Sequence, residues 1–202
     1  MIDGCRIVTQ PATEVITRAE AKKQLRLNPA DSHEDDLIDS LITTARQTCE
    51  SLCRRSFINT TWRYTFDNFP GGCSRNEDQI FLPVAPLVSI TSIKYYDTAS
   101  VETTLDSTAY FVDTNGEPGR VAPVYGTIWP VIISIPNAVQ IDFVAGYGAL
   151  ASDVPEGLKS AIKLLLTHLY KNREPIIIGT IASKLGLSFQ YMLAPYRLLE
   201  LE

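Results

Sequence analysis

The spacing of the apolar residues changes twice along this chain, near residue 60 and near residue 150. Any fold must therefore set helical patterns on both sides of a strand pattern. Before the first change, Leu37, Ile38, Leu41, Ile42, Ala45, Cys49, Leu52 and Cys53 recur every three or four residues. Asp36, Asp39, Ser40, Thr43, Arg46, Gln47, Glu50 and Arg54 occupy the other side. This is the signature of one long amphipathic helix, capped by Asp31 or Ser32 and running to about residue 55. Ahead of it, Thr17-Arg18-Ala19-Glu20 matches a capping box and opens a shorter helix that Asn28-Pro29 ends. Residues 1–16, with Pro11 and a mix of Thr, Val and Ile, read as an extended arm.

Between the two changes the period is two. Residues 61–70 alternate aromatic and polar, as a half-buried strand does. Further strand candidates are 79–82, 88–96, 101–105, 110–112, 120–122 and 138–143, with turns at Gly71-Gly72, 97–100 and 115–119. Helix returns with Asp153 as a cap and Pro155 in the first turn. Leu158, Ala161, Ile162, Leu165, Leu166 and Leu169 form its stripe, Lys159, Lys163 and Lys171 its outer side, and Pro175 its stop. Residues 176–187 are apolar and glycine-punctuated, and 188–201 read as a short helix broken at Pro195. The expected class is α+β: a helical bundle with an inserted antiparallel β domain between helix 2 and the third long helix. The expected limits are an arm at 1–16, a helical hairpin at 17–60, the β domain at 61–150, the third bundle helix at 151–175 and a tail at 176–202.

Composition narrows the function. A chain of 202 residues, 45% hydrophobic and 20% charged, is neither disordered nor collagen-like. No apolar run reaches the roughly 18 residues of a membrane span, so no membrane partner is expected. The first residues lack the hydrophobic core of a signal peptide, and a cytoplasmic setting is expected. The net charge is −5, and residues 61–150 hold 4 basic against 9 acidic residues. That balance argues against a nucleic-acid clamp. It also argues against base stacking by Trp62, Tyr64, Phe66, Tyr95, Tyr96, Tyr110 and Trp129, which read as an aromatic core. Asp31, Glu34, Asp35, Asp36 and Asp39 cluster with no Lys or Arg between them. They read as a solvated helix start or as an acidic channel or surface patch that repels DNA phosphate.

A search for chemistry returns little. Cys49 and Cys53 share a helix face, but zinc needs two more ligands and the chain has only His33 and His168. Buried free thiols are expected for the cysteines. GxSxG, HExxH and Walker patterns are missing, and Gly146-Tyr147-Gly148 reads as a strand-to-helix turn. Asp67 and Asp142 are candidate paired carboxylates with nothing in the sequence to join them. No catalysis, metal or cofactor is expected. A monomeric β-domain module for a small ligand or peptide is the rival to a purely structural role.

Several segments in order resemble one family. They are Ser56-Phe57-Ile58-Asn59-Thr60-Thr61-Trp62-Arg63-Tyr64, Asp67-Asn68-Phe69-Pro70, Ile80-Phe81-Leu82-Pro83 and 86–97. After these come Tyr110, Val112-Asp113 and Gly126-Thr127-Ile128-Trp129-Pro130, then Phe143-Val144-Ala145-Gly146-Tyr147-Gly148 and Val154-Pro155. The last are Tyr170-Lys171-Asn172-Arg173-Glu174 and Leu193-Ala194-Pro195-Tyr196-Arg197. This order resembles the head–tail connector (adaptor) proteins of tailed phages, prophages and gene transfer agents, from about residue 17 to 198. The resemblance implies a ring of about twelve copies below the portal protein, at the head–tail junction of a virion assembled in host cytoplasm. Such a ring extends the channel that DNA passes through without tight binding, and offers a platform to the next connector or tail protein. It also implies that the C-terminal segment docks on the portal, and Tyr191, Met192, Leu193, Tyr196, Arg197, Leu198 and Leu199 are the candidates.

Overall fold

The computed structural model describes residues 4–71, 78–172 and 187–198. The chain divides into two compact units, 1–11 with 59–147 and 12–58 with 148–202. The first unit holds the strands and the second the helices, the α+β class expected. Gly72, Cys73, residues 176–186 and Leu199 lie outside the described residues, and with them part of an expected turn and most of the expected tail.

The strand unit contains β1 (Cys5–Thr9), β2 (Thr60–Phe66), β3 (Ile80–Phe81), β4 (Leu87–Tyr96), β5 (Glu102–Thr104), β6 (Tyr110–Asp113), β7 (Arg120–Pro123) and β8 (Val139–Ala145). They form two antiparallel sheets, ordered β1-β2-β8-β4-β5 and β3-β7-β6. In β8, Val139, Ile141, Phe143 and Ala145 are buried and alternate with half-buried Gln140, Asp142 and Val144. A one-residue slip would turn this apolar set outward, so the alternation fixes the register. Phe143 lies opposite Trp62 of β2, and Ile141 opposite Tyr64 of β2 and Ile93 of β4. On the other face Arg63 grips Asp142 with two bonds of 2.7 and 2.8 Å. Residues 5–9, expected as part of an extended arm, pair with β2 as the edge strand of the sheet.

Aromatic rings knit this core. Phe69 stacks on Trp129 with centroids 4.9 Å apart and planes 3° apart, and it meets Phe66 and Tyr95 edge-on. The rings pack on one another instead of forming an open stacking platform.

The helical unit contains α1 (Arg18–Leu25), α2 (Asp35–Cys53), α3 (Glu156–Lys171) and α4 (Leu187–Leu193). Thr17 and Glu20 make the capping box the sequence predicts. The cap of α2 is Glu34, not Asp31 or Ser32, because the Asp31 carboxylate accepts the His33 amide locally at 3.0 Å. Likewise Asp153 closes a short 3-10 turn by accepting the Leu150 amide, and α3 starts after Pro155. Ile38, Ile42, Ala45, Cys49 and Cys53 of α2 are buried, as are Leu158, Ala161, Ile162, Leu165 and Leu166 of α3. Leu52, placed on the stripe by its spacing, is exposed instead.

One ionic cluster is buried in this unit. Arg46 bonds Glu14 through Nε at 2.8 Å and Glu50 through Nη1 at 2.7 Å. The second Glu50 oxygen accepts the Phe57 amide at 2.8 Å. Burial pushes the Glu50 carboxyl above the usual range, against the pull of Arg46. Burial also opposes the Arg46 charge, yet its bonds to Glu14 and Glu50 carry that pKa upward.

Leu166→Ala removes a fully buried side chain and should cost about 2–5 kcal/mol, whereas Leu164→Ala, on the exposed side of the same helix, should stay within about 0.5 kcal/mol. Chemical denaturation of both variants measures the contrast. Gly146 has φ +153°, and an added Cβ would sit 2.5 Å from the Asn59 nitrogen. Gly146→Ala should therefore destabilise by about 1–3 kcal/mol, read as a lowered denaturation midpoint at unchanged slope.

Candidate assembly surfaces

The C-terminal candidates divide between core and surface. In α4, Phe189 and Leu193 are buried, 4% and 3% exposed, whereas Tyr191 between them is 71% exposed. Met192, Tyr196 and Leu198 are half-buried. After α4 the backbone is tied down: the Leu198 amide donates to the Cys53 carbonyl at 3.0 Å, and Arg55 Nε donates to the Tyr196 carbonyl. Arg197 is exposed, with Nε donating to the Leu52 carbonyl at 3.3 Å. Gly157 of α3 leaves the space that the Tyr196 ring fills, since an added Cβ would lie 3.0 Å from its hydroxyl. Leu193 thus packs inside its own unit, and Tyr191 and Arg197 are the candidates that reach solvent.

The acidic cluster is largely paired within its unit. Arg18 joins Asp35 at 2.8 Å and Asp39 through Nε at 2.9 Å. Lys22, buried against α2, forms an ion pair with Asp35 and donates to the Asp31 carbonyl at 2.6 Å. Glu34 accepts the Tyr170 hydroxyl. Asp36 is the one carboxylate of the five with no such bond or ion pair among the described residues. The cluster acts mainly as a clasp between α1 and α2. The Lys22 ammonium, and then Arg18, hold the Asp35 carboxyl below the usual carboxylate range, and the paired aspartates push Arg18 upward.

Among the described residues the cysteines are buried and the candidate carboxylates are already bonded. Cys5, Cys49 and Cys53 are free and buried, with burial raising their thiols to about 12, 12 and 11. Thiols so raised are neutral and weakly nucleophilic at neutral pH. Among the described residues no three His, Cys, Asp or Glu side chains gather as metal ligands. Asp67 and Asp142 do not form an acid pair: Asp142 is held by Arg63, and Asp67 accepts the Asn137 amide at 2.8 Å. His168 lies beside Asn172 at the end of α3, and His33 is exposed. A cleft of about 450 Å³ lies among Thr13, Glu14, Arg18, Asp39 and Thr43. Its Arg18 and Glu14 already bond Asp39 and Arg46.

Sequence reasoning passed over one surface. Tyr125, Ile128 and Val131, in the connection between β7 and β8, are 80%, 83% and 75% exposed. The stretch has no regular period; Gly126-Thr127-Ile128-Trp129-Pro130 entered only through the family resemblance, and the stretch also lacks charge between Arg120 and Asp142.

Among solved structures, the fold matches proteins of gene transfer agent (GTA) particles along nearly its whole length. A chain from the neck of an empty GTA particle computed with C6 symmetry aligns with a TM-score of 0.79 and 22% identity, covering 98% of this chain and 97% of its own. One from the virion of a native gene transfer agent particle gives 0.77 and 25% identity, over 100% and 98%. One from the neck of a native GTA particle computed with C12 symmetry gives 0.70 and 22%, over 97% and 98%. No family model matches the chain, and no characterised protein matches it by sequence. The fold is that of a gene transfer agent neck protein, in agreement with the connector family that the ordered segments resemble.

The clasp gives a pH test. The Asp35 carboxyl titrates below its ordinary 3.8 in the folded state. The unfolded chain therefore binds the proton more readily, and the clasp's stabilisation is fully present above the ordinary value and is lost as the pH falls from there through the lower folded-state value. Lys22→Met should lower the melting temperature at neutral pH, and the gap to the parent chain should narrow progressively as the pH is taken below about 4. Thermal melts across that range measure it.

Proposed function

We propose that this chain is a structural head–tail connector of a tailed phage or phage-derived particle. It forms a ring below the portal protein, extends the DNA channel and gives the next connector or tail protein its platform. The observation that carries the reading is the end-to-end match to gene transfer agent neck chains, over 98% of this chain and 97% of that one. The C6 and C12 symmetries of those particle necks support a ring of several copies here.

The surfaces fit such a role. The net charge of −5 suits a channel component that duplex DNA must slide past, since like charge disfavours tight phosphate contacts. Portal docking falls to the outer side of the C-terminal segment, where Tyr191 and Arg197 face solvent while Phe189 and Leu193 hold the segment to its own unit.

Purified chain added to DNA-filled, portal-bearing heads that lack it should attach and appear as an extra ring by electron microscopy. Tyr191→Asp should reduce attachment at least tenfold, about 1.4 kcal/mol or more, without shifting the melting temperature. Failure of the parent chain to attach overturns the connector reading. Unchanged attachment by Tyr191→Asp moves the docking surface elsewhere.

A further inference from the structure

We propose that Asn115-Gly116, in the turn joining β6 to β7, is a site of spontaneous deamidation, and that the Asp113 carboxylate guards it in the folded chain by holding the Gly116 amide proton.

The first observation is chemical. Deamidation begins when the amide nitrogen of the following residue attacks the carboxamide carbon of an asparagine, and a side chain on that residue hinders the approach. Asn115 is the only asparagine in the chain that a glycine follows. It is exposed, so water and hydroxide reach it, and its carboxamide makes no hydrogen bond among the described residues. Hydroxide takes the Gly116 amide proton, the nitrogen bonds to Cγ of Asn115, and the Cγ–Nδ2 bond breaks. Nδ2 takes a proton from water and leaves as ammonia, which restores the hydroxide. Water then opens the cyclic imide at one of its two carbonyls and leaves aspartate or isoaspartate.

The second observation is geometric. Asp113 Oδ1 accepts the Asn115 amide at 3.0 Å and the Gly116 amide at 3.3 Å. Its Oδ2 accepts from Arg120 Nε at 2.8 Å, which fixes the carboxylate in place. These bonds, that of Arg120 first, hold the Asp113 carboxyl below its usual range, so it is ionised at neutral pH. An ionised carboxylate against the Gly116 N–H disfavours the amide anion that attack requires. A rise of about one unit in that amide's pKa slows the step about tenfold. The stake is the hairpin itself. Asp113 opposite Arg120 is the pair of the β6–β7 ladder nearest the turn. Isoaspartate adds a carbon to the backbone of that turn, and aspartate sets a new carboxylate beside Glu117 and close to Asp113.

The test compares full-length chains, folded and in urea, incubated at mildly alkaline pH. Peptide mass spectrometry reads the sites, with isoaspartate separated by chromatography. In urea the parent chain should deamidate at Asn115 ahead of its other asparagines, and folding should slow that rate by about tenfold or more. Asp113→Ser keeps a hydroxyl that can accept in the turn but removes the charge. Its folded rate should rise about tenfold above that of the folded parent. Arg120→Gln breaks the same ion pair but leaves the carboxylate on the Gly116 amide, so its rate should stay close to the parent's. Melting temperatures establish that each variant is folded during incubation. Absence of deamidation at Asn115 in urea overturns the site. A folded parent that deamidates as fast as it does in urea overturns the guard, as does Asp113→Ser that stays as slow as the parent. Equal acceleration in Asp113→Ser and Arg120→Gln would report a loosened hairpin, and overturns the guard as well.

Discussion

The buried Arg46 guanidinium organises the helical unit. Glu14 comes from the segment before α1, Arg46 and Glu50 from α2, and the Phe57 amide from the segment that leaves α2. One cation and two carboxylates thus fix both the approach to the first helix and the exit from the second. Desolvation makes such a cluster costly, and removing one partner of a buried pair leaves a charge uncompensated, at about 3–5 kcal/mol. Its value lies in direction: these bonds are satisfied only when the segments before α1 and after α2 lie in one position against α2. The Asp35 clasp with Lys22 and Arg18 adds a second, more exposed tie between α1 and α2.

Much of the fold is legible in the sequence because periodicity is a local signal. The α2 and α3 stripes and the alternation of β8 can be read without knowing what they pack against. The misses are the features set by distant partners. β1 is five residues whose pairing is with β2, more than fifty positions away. The α2 cap moved because Asp31 turned to a neighbouring amide. The acidic cluster looks unpaired along the chain, since its cations Arg18 and Lys22 arrive from the preceding helix. In the C-terminal segment, seven helical residues give too little period to tell Leu193, which is buried, from Tyr191, which is not.

The division of charge follows the division of structure. The helical unit pairs Glu14–Arg46–Glu50, Arg18–Asp35 and Lys22–Asp35, and its basic and acidic residues are equal in number. The strand unit pairs Arg63 with Asp142, Lys94 with Glu102 and Arg120 with Asp113, and still has carboxylates to spare. Exposed pairs of the last two kinds contribute about 0–1 kcal/mol each, so their placement governs approach of other molecules more than it governs folding.

Two exposed segments share one construction. At the C-terminal segment, buried Phe189 and Leu193 flank exposed Tyr191; in the β7–β8 connection, exposed Ile128 and Val131 flank buried Trp129. In each, the side chain that faces outward is held by neighbours that face inward. Ordering a free loop on binding costs about 0.5–1.5 kcal/mol for each side chain immobilised. A backbone fixed by its own core has met much of that cost during folding. A ring needs each copy to make contacts on both sides at once, and a cost incurred at every contact would be multiplied around it. Anchored display keeps that multiplied cost small.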